Sequence, residues 1–79
     1  MTPDFSFDRI THMGGTLNKD ALTSSVLHDG ELLEVIWPNG DRDLIKVKVE
    51  DGKAYHKSYW KKIPIMVPIV GMRARRVLQ

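Results

Sequence analysis

The sequence predicts a mainly β fold: a small, partly open barrel or curled antiparallel sheet of four to five strands, with at most one short helix. Three observations lead there. Pro38-Asn39-Gly40-Asp41 and Asp51-Gly52 are chain reversals of the kind that join antiparallel strands. Between them Leu44–Glu50 alternates, with Ile45, Val47 and Val49 facing one way and Lys46 and Lys48 the other. Ile63–Val70 is apolar and β-branched, yet Pro64 and Pro68 bar it from a helix and from the centre of a sheet.

A chain of 79 residues has room for one domain, read as an arm over 1–16 and a β-rich body over 17–79. Such a chain buries roughly 60–65% of its unfolded surface, so the core is thin. With no cysteine there are no disulfides, thiolate nucleophiles or thiolate metal sites to reinforce it. Packing must suffice, or packing aided by self-association. No run approaches the roughly 18 apolar residues needed to span a bilayer. The opening Met1–Asp8 carries acids where a secretory leader carries lysines, so a cytoplasmic protein without membrane contact is expected.

Along the chain, the arm shows no sustained period. Phe5 and Phe7 stand two apart, as on one face of a short strand, and with Ile10 they are available to pin the arm to the body. Gly14-Gly15 reads as a flexible join; no G-K-[ST] follows, so it is not a phosphate loop. Around residues 18–28 two readings stay open. Asn18 can cap a short helix in which Leu22 and Val26 stack; alternatively Leu22, Ser24 and Val26 line one face of a strand. Glu31–Trp37 and Leu44–Glu50 form a hairpin with Leu33, Val35 and Trp37 on its apolar side. Lys53–Tyr59 extends this to a meander, with Tyr55, Lys57 and Tyr59 facing away from Ala54, His56 and Ser58. Pro64–Val70 is an edge strand, a bulged strand or an extended crossing whose side chains are expected in the core. Met72–Leu78 closes the chain as a strand or a short basic helix, the alternation favouring the strand.

The phrase Glu34-Val35-Ile36-Trp37-Pro38-Asn39-Gly40-Asp41 is similar to the strand–turn–strand openings of SH3-like and Tudor-like barrels. The likeness is generic to β-hairpins, and no functional residue is carried over from it.

Charge points more strongly toward function. Residues 1–52 hold five bases and all ten acids, net −5, whereas residues 53–79 hold seven bases and no acid, net +7. Within that basic third Lys57, Tyr59, Trp60, Lys61, Lys62, Arg73, Arg75 and Arg76 mix cations with aromatic rings. Cations neutralise phosphates and rings stack on bases, so these eight residues are the candidate contact set for nucleic acid or another polyanion. The plainer alternative has the rings completing the core and the lysines forming its solvated rim. Two further readings use the same region. Trp37, Tyr55, Tyr59 and Trp60, with Glu34, Asp41 and Asp43 nearby, could cage a cationic ligand. The Pro64–Val70 segment could join a second copy edge to edge, and opposite charges in the two halves could meet between subunits.

Catalysis has little to stand on. His12, His28 and His56 form no short ligand pair, no nucleophile elbow is present, and Asp41 and Asp43 flank a turn where solvated carboxylates are ordinary. The expectation is a non-enzymatic binding module without cofactor or metal.

Overall fold

The computed structural model describes residues 7–18 and 25–77. Eight strands form one antiparallel sheet, and no helix occurs among these residues. The strands are β1 (Asp8–Ile10), β2 (Thr16–Asn18), β3 (Ser25–Val26), β4 (Leu32–Ile36), β5 (Arg42–Glu50), β6 (Lys53–Trp60), β7 (Ile63–Pro68) and β8 (Arg73–Arg76). Their order across the sheet is β3-β2-β1-β8-β4-β5-β6-β7. The mainly β reading is borne out, but eight strands stand where four to five were expected, and they form one open antiparallel sheet rather than an SH3-like barrel. The two end strands, β3 and β7, do not pair with each other.

The central meander forms where the sequence places it. Asp51-Gly52 takes positive φ at both positions, a two-residue turn whose twist matches the flanking strands. At the other end of β5 the Trp37 amide donates to the Asp41 carbonyl (2.8 Å), and Gly40 at φ 93° absorbs the left-handed corner. β5 serves two neighbours in turn. Its first half pairs with β4 from Arg42 to Lys46, and its second half pairs with β6 from Val47 to Glu50.

Three expectations need correction. The N-terminal segment is no loose arm: β1 lies inside the sheet between β2 and β8, and Ile10 is fully buried. Three residues are too few to show a period in sequence; pairing with the distant β8 holds them as a strand. At residues 18–28 the ends of the span are strand, Thr16–Asn18 and Ser25–Val26, and residues 19–24 lie outside the described residues, as does Phe5. Met72–Leu78 resolves as strand over Arg73–Arg76, held by partners on both sides. Third, β7 is an edge strand, as one reading had it, but its side chains are largely outside the core: Ile63, Ile65 and Met66 are exposed, and Ile69 just beyond is buried.

Ile10, Leu17, Leu27, Leu33, Val35, Ile45, Val47, Ala54, Ile69 and Ala74 make the core, with Trp37, Val49 and Met72 packed against it. The sheet rolls around this cluster. The β1–β2 turn comes down on the start of β6, where the Ala54 amide donates to the Met13 carbonyl (2.6 Å). Gly15, at φ 78°, sits so close that a Cβ there would stand 2.8 Å from the Ala54 Cβ. The glycine pair is therefore a packed contact and not a flexible join.

Candidate nucleic-acid interface

Residues directly opposite on an antiparallel ladder share a face, so the register sorts every side chain. The core side carries Ile10, Ala74, Val35, Leu33, Ile45, Val47 and Ala54. The outer side carries Arg9 on β1, Arg73 and Arg75 on β8, Glu34 and Ile36 on β4, Arg42, Leu44, Lys46, Lys48 and Glu50 on β5, and Lys53, Tyr55, Lys57 and Tyr59 on β6. Cations dominate that side: against Arg9, Arg42, Lys46, Lys48, Lys53, Lys57, Arg73 and Arg75 stand only Glu34 and Glu50 among these strand positions.

Phe7 organises the arginines. Following the alternation of β1 it lies on the outer side, yet it is buried, with the guanidinium of Arg75 4.9 Å and that of Arg42 5.1 Å from its ring centroid. Both distances suit cation–π attraction, which fixes two charges over one ring. Arg75 also donates from Nε to Glu34 Oε1 (2.6 Å) and forms an ion pair with it.

The far end of the sheet is different. Pairing between β5 and β6 stops at Val47 and His56, but β6 and β7 stay paired as far as Trp60 and Ile63. Lys57–Trp60 and Ile63–Met66 thus form a two-stranded ribbon beyond β5. Its turn, Lys61-Lys62, has φ of 50° and 67°. Positive φ at both central positions is the usual territory of Asn and Gly, and a lysine there carries a strain of about 1 kcal/mol each. Tyr59 and Trp60 beside the turn are 64% and 65% exposed. Lys57 Nζ lies 5.8 Å from the Tyr59 ring centroid, and Lys61 Nζ 5.9 Å from that of Trp60.

The eight residues singled out in the sequence do not make one surface. Lys57, Tyr59, Trp60, Lys61 and Lys62 come together at the ribbon. Arg73 and Arg75 on β8 join Arg9 on β1 and Arg42 on β5 on the outer face of the sheet. Arg76 faces the core side, where its Nε binds Glu31 Oε2 and its Nη2 donates to the Val26 carbonyl (2.6 Å). The sequence reading missed Phe7, Arg9 and Arg42 as members of the basic face. Arg42 was legible as a continuation of the Lys46–Lys48 alternation; Arg9 was not, because nothing local places it beside Arg73. The four rings of the cation-cage reading are divided: Tyr55 and Tyr59 face outward, Trp60 faces the other side of the ribbon, and Trp37 lies near His56, ring centroids 6.5 Å apart.

Two open clefts adjoin the basic face. One of about 460 Å³ is bordered by Lys46, Lys48, Lys57, Met66, Asp29 and Gly30, where β6 leaves β5. The other, about 610 Å³, is bordered by Arg9, Arg73, Trp37, Pro38, Pro68 and Met72. No group of three or more His, Cys, Asp or Glu able to hold a metal occurs among the described residues, and no helix there is long and apolar enough to cross a membrane. Comparison with protein-family models, curated proteins and solved structures returns no match for this chain.

Proposed function

We propose that this protein is a non-enzymatic binding module that holds nucleic acid on the outer face of its sheet, with the β6–β7 ribbon as its reading end. The observation that carries the reading is the ribbon tip, where Lys61 and Lys62 are kept in strained left-handed positions next to the exposed rings of Tyr59 and Trp60. Backbone strain of this kind persists where something other than local stability favours the residue. Here the lysines supply two phosphate-neutralising charges at the turn of a ribbon that runs past the end of β5.

Lys57, Lys61 and Lys62 contact phosphates at the tip, and Tyr59 and Trp60 offer π-faces on which bases stack. Exposed rings beside cations favour single strands, whose bases are free to splay, over duplexes. Arg9, Arg42, Arg73 and Arg75 extend the positive field along the sheet and steer the strand toward it.

The test is fluorescence anisotropy with labelled single- and double-stranded DNA and RNA at about 50 and 200 mM salt, on the parent and on Lys61→Gln/Lys62→Gln. Salt-sensitive binding that prefers single strands and weakens in the double variant supports the reading. Absence of binding at the lower salt overturns it.

A second reading rests on a different surface. Ser58, Trp60, Ile63 and Ile65 continue the core-side face past the end of the core, with Trp60 and Ile63 more than 60% exposed. A second copy covering this strip would give a homo-oligomer, seen as a solution mass above the 9.0 kDa of one chain.

A further inference from the structure

Tyr59 and Trp60 are adjacent on β6, so their rings turn to opposite faces of the ribbon. The ring that shares a face with Tyr59 is Tyr55, with Lys57 between them. The register supplies neighbours on either side. Lys48 on β5 and Pro68 on β7 stand opposite Tyr55, Met66 stands opposite Lys57, and Pro64 opposite Tyr59. Lys46 falls one step past the last β5–β6 pair, Val47 with His56, and so lies on the row of Lys57. The outer face of β6 therefore presents ring, cation, ring, with two more lysines alongside on β5.

The smaller cleft lies on this row. Lys46, Lys48 and Lys57 all border it, and Met66 gives it an apolar wall. The carboxylate at its rim, Asp29, is turned to the backbone, where Oδ1 accepts from the Val49 amide (2.8 Å). Among the described residues neither Lys46 nor Lys48 has an ion-pair partner. Lys57 holds its ammonium 5.8 Å from the Tyr59 ring centroid. Like charges grouped around one opening repel, and an anion among them reverses the sign of the interaction.

Spacing relates the rings to the cleft. At a rise of about 3.4 Å per residue, Tyr55 and Tyr59 stand roughly 14 Å apart along β6. A nucleotide has twice as many backbone bonds as an amino acid, so an extended strand advances about 7 Å per nucleotide. The two rings are thus two nucleotides apart, and the phosphates between them pass over the three lysines.

We infer, resting on the nucleic-acid reading above, that a single strand lies along the outer face of β6 with one base on Tyr55 and the next but one on Tyr59. Lys46, Lys48 and Lys57 hold the phosphates between those bases. Trp60 is met only by a longer strand that rounds the Lys61-Lys62 turn. A duplex does not bind this way, because its bases stack on one another and are not free to lie on the rings. A bare chain of phosphates would leave both rings unused.

The test is competition against a labelled single-stranded hexamer by thymidylate oligomers of about two to six nucleotides. Passing from the dinucleotide to the trinucleotide should strengthen competition by about tenfold, the value of one more stacked base. Tyr55→Leu should lose most of that gain, whereas Tyr55→Phe, which keeps the ring, should stay within about twofold of the parent. Lys46→Gln/Lys48→Gln should make the slope of log affinity against log salt shallower by about 1.4. The same series in uridylate tells RNA from DNA as the strand, and the loss in Tyr55→Leu is required with whichever binds.

Two failures are distinct. A parent that binds no single strand overturns the nucleic-acid reading and this path with it. A parent that binds and depends on Lys61 and Lys62 leaves the ribbon standing. This path alone is then overturned by an unchanged salt slope in Lys46→Gln/Lys48→Gln, by loss of binding in Tyr55→Phe as large as in Tyr55→Leu, or by full trinucleotide affinity in Tyr55→Leu with unchanged circular dichroism.

Discussion

Gly15 and Ala54 meet where the rolled sheet comes together: a Cβ on Gly15 would lie 2.8 Å from that of Ala54 and 3.3 Å from that of Leu27. Residues 39 positions apart in sequence are thus in contact because one of them has no side chain. Leu27, whose amide donates to the Gly15 carbonyl (2.6 Å), and Ala54 are both core residues. Gly15→Ala should therefore destabilise the fold by about 3 kcal/mol, combining a clash with strain at positive φ. Gly30 also has positive φ (84°) but open space around it, so Gly30→Ala should lose only about 1 kcal/mol. Urea melts of both variants decide the matter; equal losses would mean that the close approach carries no energy.

Arg76 belongs to the fold and not to the contact surface. It links β8 to Glu31, before β4, and to the Val26 carbonyl of β3, thereby tying the short edge strand to the centre of the sheet. Glu31 in turn accepts from the His28 amide (3.0 Å), so its loss of a partner is felt in the adjoining turn. Arg76→Gln should destabilise by about 1 kcal/mol, a figure held down by the partial exposure of the arginine. Nucleic-acid affinity measured well below the melting temperature should stay within about twofold of the parent, since no phosphate contact is removed. A salt-dependent loss of affinity in a fully folded Arg76→Gln protein would place this residue in the interface after all.

These assignments mark how far the sequence could be read. The β4–β5–β6 meander was legible because its signals are local: Asn39-Gly40, Asp51-Gly52 and the alternation through Ile45, Val47 and Val49 each act within a few residues. β1 was not, because Asp8–Ile10 is too short to show a period and owes its structure to pairing with Arg73 and Ala74 at the other end of the chain. The candidate site divides in the same way. Lys57 through Lys62 are neighbours in sequence and remain so in the ribbon. Arg75 and Arg76 are also adjacent, but successive strand residues point to opposite faces, so one joins the basic surface and the other pairs with Glu31.

The free edge of β7 is guarded by its prolines. Trp60 and Ile63 flank a two-residue turn and so form a hydrogen-bonded pair; the parity continues to Ala54, which accepts from the Ile69 amide (3.4 Å). Pro64 and Pro68 then fall at positions whose nitrogens face away from β6. Of the outward positions at 64, 66 and 68, only Met66 retains an amide hydrogen to offer another strand. Restoring the other two in Pro64→Thr/Pro68→Thr should raise self-association, because the exposed edge is already flanked by apolar Ile63 and Ile65. Sedimentation at about 100 μM should give the variant a larger mean mass than the parent, the edge then having three donors for strand pairing. An unchanged mass would show that the prolines do not limit edge pairing.

The tip of the ribbon sets stability against binding in a way that one substitution can expose. Lys61 and Lys62 occupy the two positions of their turn where positive φ disfavours any side chain branching from an ordinary Cβ. In the same chain the β5–β6 turn meets that need with Asp51-Gly52. Replacing the lysines by the preferred pair, Lys61→Asn/Lys62→Gly, should therefore stabilise the protein by about 1 kcal/mol in urea melts. The same change removes two cations from the proposed contact, so the slope of log affinity against log salt should become shallower by about 1.4 for single strands. Affinity at low salt should fall while the melting temperature rises. Those opposite signs separate loss of contact from loss of fold, because a damaged fold would lower both. If the variant gains stability and binds single strands with the parent's affinity and salt slope, the lysines are not at the interface and the ribbon is not the reading end.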